Sequence, residues 1–311
     1  MPITEPNNTI ADANNSELSL DGERIFEDSG NIESREDQDL IRFQLEEGDV
    51  AIIDVDVIID INVDLEESQN SLDSRLRIFD ADGEQLQISQ VNTAVNETIS
   101  TAPYLEFTAE DAGDYYAGVS GLTDYNPVTG EVISSFVFDP GDYDISITLF
   151  NGIEGTSSRN TLAGTIEADY ITGLDGNDTL TGDDGDDFLK GGDFNDLLVG
   201  GDGNDILLGE DNNDNLQGGN GDDILRGGGG SDVLTGGEGA DQFILNPTQT
   251  GETILDFQAE DDLLILTGDI GFSEIDITAS SGNAVITFGS ITVATIEDVA
   301  TNVLTEDVFI F

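Results

Sequence analysis

Nine aspartates recur at a fixed interval of nine residues through the middle of the chain: Asp169, Asp178, Asp187, Asp196, Asp205, Asp214, Asp223, Asp232 and Asp241. An ionised aspartate offers only oxygen acceptors, and carboxylates held in register repel one another unless a cation lies between them. Calcium is the fitting counter-ion, because it takes about 6–8 hard oxygen ligands from carboxylates and carbonyls in a flexible shell. Magnesium demands a tighter octahedron and fits less well.

The element that must position these carboxylates is written in the same period. The frame runs without a slip from Gly164 to Ile244, with glycine first at Gly164, Gly173, Gly182, Gly191, Gly200, Gly209, Gly218, Gly227 and Gly236. The eighth place is always large and apolar: Ile171, Leu180, Leu189, Leu198, Leu207, Leu216, Leu225, Leu234 and Phe243. A degenerate unit, Gly155 to Ala163, puts Asn160 and Leu162 in the matching places. Glycines can adopt φ > 0 and allow close backbone approach, so the first six residues of each unit are expected to form a tight loop. The last three form a short strand with the eighth residue facing inward. Two units make one coil of a parallel solenoid, so the aspartates stack in two columns, one on each side.

The two sides differ at the fourth position. Loops starting at Gly182, Gly200, Gly218 and Gly236 carry Gly185, Gly203, Gly221 and Gly239 there. Loops starting at Gly173, Gly191, Gly209 and Gly227 carry Gly176, Phe194, Asn212 and Gly230. Phenylalanine tolerates a left-handed conformation poorly, so the Gly173–Gly191 region is expected to hold calcium weakly.

The unit resembles the nonapeptide G-G-x-G-x-D-x-U-x of the RTX, or hemolysin-type, calcium-binding repeat family, over about a quarter of the chain. The resemblance implies a parallel β-roll, several bound Ca2+ ions, export as an unfolded chain by a type I secretion apparatus, and folding in external calcium. RTX proteases carry a His-containing zinc motif, and this chain has no His.

The flanks read as β structure. Residues 245–311 contain short apolar runs such as Leu263-Leu264-Ile265-Leu266 and Ala284-Val285-Ile286-Thr287-Phe288, the expected cap over the last coil. The ending Asp307-Val308-Phe309-Ile310-Phe311 is similar to a type I secretion signal and also reads as a last cap strand. Residues 1–150 alternate at Ile41, Phe43, Leu45 and at Ile53, Val55, Val57, which suggests a β-sandwich or jelly roll of some seven strands. This region resembles the bacterial pre-peptidase C-terminal domain through Glu5-Pro6-Asn7-Asn8-Thr9, Asp37-Gln38-Asp39 before Arg42-Phe43, Asp73-Ser74-Arg75-Leu76 and Gly113-Asp114-Tyr115-Tyr116. That resemblance makes Glu5, Asn7, Asn8, Asp37 and Asp39 candidate calcium ligands. Asp60-Ile61-Asn62-Val63-Asp64 begins like an EF-hand loop but lacks its later glycine and glutamate, and reads as a strand with one polar face.

Composition narrows the function. With 67 acidic against 8 basic residues the net charge is −59, which disfavours nucleic acid and anionic membranes and favours cations. Without Cys there are no disulfides, and without His there is no His-based nucleophile system or zinc-protease helix. Carboxylate-pair glycoside hydrolysis usually brings Trp to a sugar cleft, and there is none. The first residues do not read as a secretory signal peptide, and no apolar run could span a bilayer. The sequence therefore reads as an all-β, non-enzymatic, extracellular or cell-surface calcium-binding protein: sandwich (1–150), β-roll (155–244) and cap (245–311). The alternatives are an adhesin or matrix component whose sandwich grips extracellular polysaccharide or protein, and an accessory member of a secreted hydrolase family.

Overall fold

The computed structural model describes residues 14–18, 25–32, 38–57, 75–82, 85–89, 104–120, 123–126, 131–135, 141–249, 251–268 and 270–310. The fold is all-β and divides into two compact units, Met1–Phe150 and Asn151–Phe311.

The first unit contains β1 (Asn14–Leu18), β2 (Ile25–Ile32), β3 (Gln38–Leu45), β4 (Val50–Val57), β5 (Arg75–Asp80), β6 (Gln85–Ser89), β7 (Tyr104–Thr108), β8 (Gly113–Ser120), β9 (Thr123–Asn126), β10 (Glu131–Ser135) and the first part of β11 (Gly141–Glu154). One sheet has the order β1-β3-β8-β5-β6. In a second sheet β4 lies between β7 and β11, and β2 pairs with β11. Alternate residues from both sheets meet in one core: Ile41, Phe43, Ile78 and Ala117 from the first, Ile53, Leu105, Ile147 and Leu149 from the second. Period-2 alternation buries one face of each sheet, and two such faces make a sandwich.

The second unit winds as a solenoid of about six turns over residues 151–266. Its strands are β12 (Thr161–Ala163), β13 (Asp169–Asp175), β14 (Thr179–Asp184), β15 (Phe188–Asp193), β16 (Leu197–Asp202), β17 (Ile206–Asp211), β18 (Asn215–Asn220), β19 (Ile224–Gly229), β20 (Val233–Glu238), β21 (Gln242–Leu245), β22 (Glu252–Ile254) and β23 (Leu263–Leu266). Odd-numbered strands from β13 form one parallel sheet, whose first rung is Asn151–Glu154; even-numbered strands form the other. Partners lie eighteen residues apart, as in Ile171↔Leu189 and Leu180↔Leu198. All nine eighth-position side chains are fully buried in the single core between the sheets.

The strands are longer than the three residues expected. From β14 to β20 each runs from the seventh place of one repeat to the third of the next, and β13 starts one residue earlier at Asp169, so the first glycine lies inside a strand. The chain turns at two corners, because both the second and the fourth positions take φ > 0. The second-position corner holds Leu174, Asp183 and Glu210 besides glycines, a demand that the fourth-position argument overlooked.

The cap is β24 (Ile275–Ser280), β25 (Asn283–Phe288) and β26 (Ile291–Ile296), an antiparallel set whose β26 runs parallel to β22. The final segment forms β27 (Phe309–Ile310), parallel to β23, with Val308 and Phe309 in the solenoid core.

Candidate metal centre

The sixth-position aspartates stand in two columns, one at each edge of the roll. The backbone N–H of each donates to Oδ1 of the aspartate one coil on: Asp169 to Asp187 at 2.8 Å, Asp187 to Asp205 at 2.8 Å, Asp205 to Asp223 at 2.8 Å, and Asp223 to Asp241 at 3.0 Å. In the second column Asn160 donates to Asp178, Asp178 to Asp196, Asp196 to Asp214, and Asp214 to Asp232, at 2.5–2.8 Å. All nine aspartates are at most 4% exposed. The other carboxylate oxygen, Oδ2, of every one except Asp169 is buried without a hydrogen-bond partner. A buried acceptor left unsatisfied is costly, and eight in two ranks need a common explanation.

The glycines show where these oxygens point. A Cβ built on Gly173 would meet Asp178 Oδ2 at 2.6 Å and the carbonyl oxygen of Gly191 at 2.6 Å; on Gly191 it would meet Asp196 Oδ2 at 2.5 Å and the Gly209 carbonyl at 2.8 Å. Gly182, Gly200 and Gly218 form the same cradle with Oδ2 of Asp187, Asp205 and Asp223 and the carbonyls of Gly200, Gly218 and Gly236. Each cradle thus gathers a carboxylate oxygen and a next-coil carbonyl where only a hydrogen side chain fits. At the adjoining corner Gly185, Gly203, Gly221 and Gly239 take φ of 124°, 137°, 127° and 138°, whereas Phe194 is held at 82° and Asn212 at 84°.

Burial sets the electrostatics. It drives Asp187 and Asp223 up to about 8, Asp205 and Asp214 to about 7, and Asp196 and Asp241 to about 6. Backbone N–H donors oppose the rise, and neighbouring acids add to it. Among the described residues no three acidic side chains converge on one point, so backbone carbonyls must complete any coordination shell. Carboxylate plus carbonyl oxygen, with no nitrogen or sulfur, is the donor set of calcium.

Several candidates stand apart. Asp169 has both oxygens engaged, Oδ1 by Asn151 Nδ2 at 2.9 Å and Oδ2 by the Thr165 N–H at 2.6 Å, so it closes its column. Glu5, Asn7, Asn8 and Asp37 lie outside the described residues, as does the Asp60–Asp64 stretch; the backbone of Asp39 lies on β3, opposite Val119.

The structure also brings in residues that the period concealed. Asp262 continues the first column, its Oδ1 accepting from Asp241 N–H at 3.0 Å, and Asp256 accepts from the N–H groups of Gly236 and Gly237. Their offsets of 19 to 21 residues break the eighteen-residue interval. A second ladder runs through the fifth positions in the opposite sense. There Asn204 N–H donates to Asp186, Asp222 N–H to Asn204, and Ala240 N–H to Asp222. At the other edge Asn195 N–H donates to Asn177, Asn213 N–H to Asn195, and Ser231 N–H to Asn213; Ala240 and Ser231 end the two ladders and need only donate. The sequence signal was the Asn or Asp that stands before six of the sixth-position aspartates: Asn177, Asp186, Asn195, Asn204, Asn213 and Asp222.

Residues 154–189, 181–216 and 208–243 match the RTX calcium-binding nonapeptide repeat family. No curated protein matches the chain. Among solved structures it is similar to the extracellular lipase LipA from Serratia marcescens, at 17% identity and a TM-score of 0.29, over 50% of this chain but only 39% of the lipase. It is also similar to the pre-peptidase C-terminal domain of a Bacillus anthracis collagenase (14% identity, TM-score 0.28, 44% of this chain and 94% of that one). A third likeness is to the AlgE6R2 subunit of the Azotobacter vinelandii mannuronan C5-epimerase (22% identity, TM-score 0.27, 51% and 91%). At these scores the structural likenesses bear on neither activity nor substrate. Among the described residues no helix is long and apolar enough to cross a membrane. The family match, the eighteen-residue coil and the ranks of unpartnered carboxylate oxygens agree: the solenoid of this chain is an array of RTX repeats, and such repeats bind Ca2+.

Proposed function

We propose that this is a secreted, non-enzymatic calcium-binding protein whose roll folds when it meets extracellular calcium. The reading is carried by the eight buried Oδ2 atoms of Asp178, Asp187, Asp196, Asp205, Asp214, Asp223, Asp232 and Asp241, which the protein itself leaves without donors. These aspartates would hold the ions together with next-coil glycine carbonyls such as those of Gly200 and Gly218. Calcium, when bound, supplies the positive charge that lets stacked carboxylates remain ionised. The chain contributes the shape: first-position glycines leave room, and fourth-position glycines turn the corner. An unfolded chain does not present these oxygens together, so ion binding free energy becomes folding free energy. Low internal calcium would then keep the chain extended for a type I export apparatus, and higher calcium outside would fold it.

The test is far-UV circular dichroism and hydrodynamic radius of the full chain at pH 8, in chelator and then with calcium added. Strand signal should rise and the radius shrink at roughly millimolar calcium, the usual range for extracellular modules. Magnesium at equal concentration should not substitute. A roll already formed in chelator, with neither observable moved by calcium, would overturn the reading.

A further inference from the structure

The sandwich carries a pocket that the calcium reading leaves unused. It opens in the first unit, beside the end of β5 and the turn from β7 to β8, and its volume is about 440 Å³. Strand pairing builds it. Asp80 and Tyr115 are partners across β5 and β8 in one sheet, while Phe107 comes from β7 in the other. The Phe107 and Tyr115 rings meet tilted at 59°, with centroids 5.1 Å apart, and both are buried. Tyr115 is held in place from its far end, where its hydroxyl donates to the backbone carbonyl of Asp111. Leu86, on β6, adds an apolar lip that is 45% exposed. The result is an open cavity with a fixed aromatic floor.

Its charge says what could fill it. Asp80, Asp82, Glu110, Asp111 and Asp114 line the pocket, and no Lys or Arg does. Asp114 is already engaged, its Oδ1 accepting from Arg42 at 2.6 Å and from Gln44 at 2.7 Å. Burial holds the Tyr115 phenol above its ordinary range, and the charges of Asp111, Glu110 and Asp80 push it the same way, so these three acids act on one spot. They ring that spot without meeting: among the described residues no three acidic side chains converge closely enough to hold a metal ion. A metal ion needs its oxygens within about 2.6 Å, whereas a guanidinium spreads its charge over a plane, donates several N–H bonds and stacks on aromatic rings. The apolar stem of an arginine also suits an apolar lip. We propose that this pocket binds an arginine side chain presented by a partner polypeptide, its charge among the rim carboxylates and its stem against Leu86 and the aromatic floor. The inference does not depend on the calcium reading.

The experiment is fluorescence anisotropy of a labelled tetra-arginine peptide titrated with the full chain. It is run with calcium present and at roughly 0.15 M salt, where a screening length of about 8 Å mutes the field of distant acids. Asp80→Asn with Asp111→Asn should weaken binding about tenfold or more. Asparagine keeps the Oδ1 that accepts the Asp82 N–H and removes only the charge. Asp276→Asn with Asp307→Asn removes the same charge from exposed positions of the second unit and should change the affinity by less than about twofold. Equal losses in the two pairs would overturn the proposal, leaving only general attraction to a chain of net charge −59. A wild type that does not bind the peptide would overturn it too. Should the first pair not fold, Asp82→Asn with Glu110→Gln, both at exposed positions of the rim, takes its place with the same two outcomes.

Discussion

Phe194 sits at a corner where its repeat family prefers glycine, with φ of 82° and 55% of its surface exposed. A left-handed conformation costs a residue with a Cβ about 1–2 kcal/mol, and an exposed ring recovers little of that by packing. Phe194→Gly should therefore lower the calcium midpoint, by about fivefold if ~1 kcal/mol is relieved, as read by isothermal titration. An unchanged or weaker affinity would show that the ring is useful where it stands. Gly203→Phe should do the reverse, since a Cβ there would run into the Gly185 carbonyl. The structure widens the contrast between the two edges. The Gly173–Gly227 loops hold Leu174, Phe194, Glu210 and Asn212 at positive φ, whereas the Gly182–Gly236 loops hold only Asp183 among non-glycines. At this scale the sequence was readable wherever the nine-residue interval held. It gave no sign of Asp256 or Asp262, because insertions between strands shift them off the interval while strand pairing restores their place.

At the scale of the element, a column behaves as a set of acids whose charge the fold resists. In the metal-free roll six aspartates titrate between about 6 and about 8, against about 3.9 in an unfolded chain. The folded state thus binds more protons than the unfolded one across that window. Its stability is complete below the unfolded value and is lost as pH climbs through the folded ones. In chelator, strand signal should therefore be present near pH 5 and fade toward pH 8, where calcium must take over from the protons. Circular dichroism against pH checks this, and strand signal that grows with pH in chelator would contradict it. Asp205→Asn with Asp223→Asn should blunt the loss at pH 8, since neutral amides keep the shape without the charge. The strand lengths show what the sequence withheld at this scale. The reading confined strands to three residues because the glycines looked like loop, but pairing across eighteen residues carries the ladder past the first glycine.

At the scale of the molecule, each unit buries its own core, one between the two sheets of residues 1–150 and one down the axis of the roll. Calorimetry in chelator is therefore expected to show a cooperative transition that survives in the full chain and belongs to the first unit, with a second, calcium-dependent transition for the roll. A single transition that moves as a whole with calcium would refute that independence. The sandwich could be read from its alternating residues, but its candidate ligands rested on family resemblance alone, with no spacing to fix them. The eighteen-residue coil has one more consequence, which is arithmetic. Each repeat is half a coil, so the array has a parity. Adding or removing two repeats lengthens or shortens the roll by one strand spacing, about 4.8 Å, and leaves the cap facing as before. Adding or removing one turns everything downstream by half a revolution and moves Asp262 from the edge of the first column to the edge of the second. The array is at once a ruler and an indexing head, and its length can drift without reorienting the cap only in even steps.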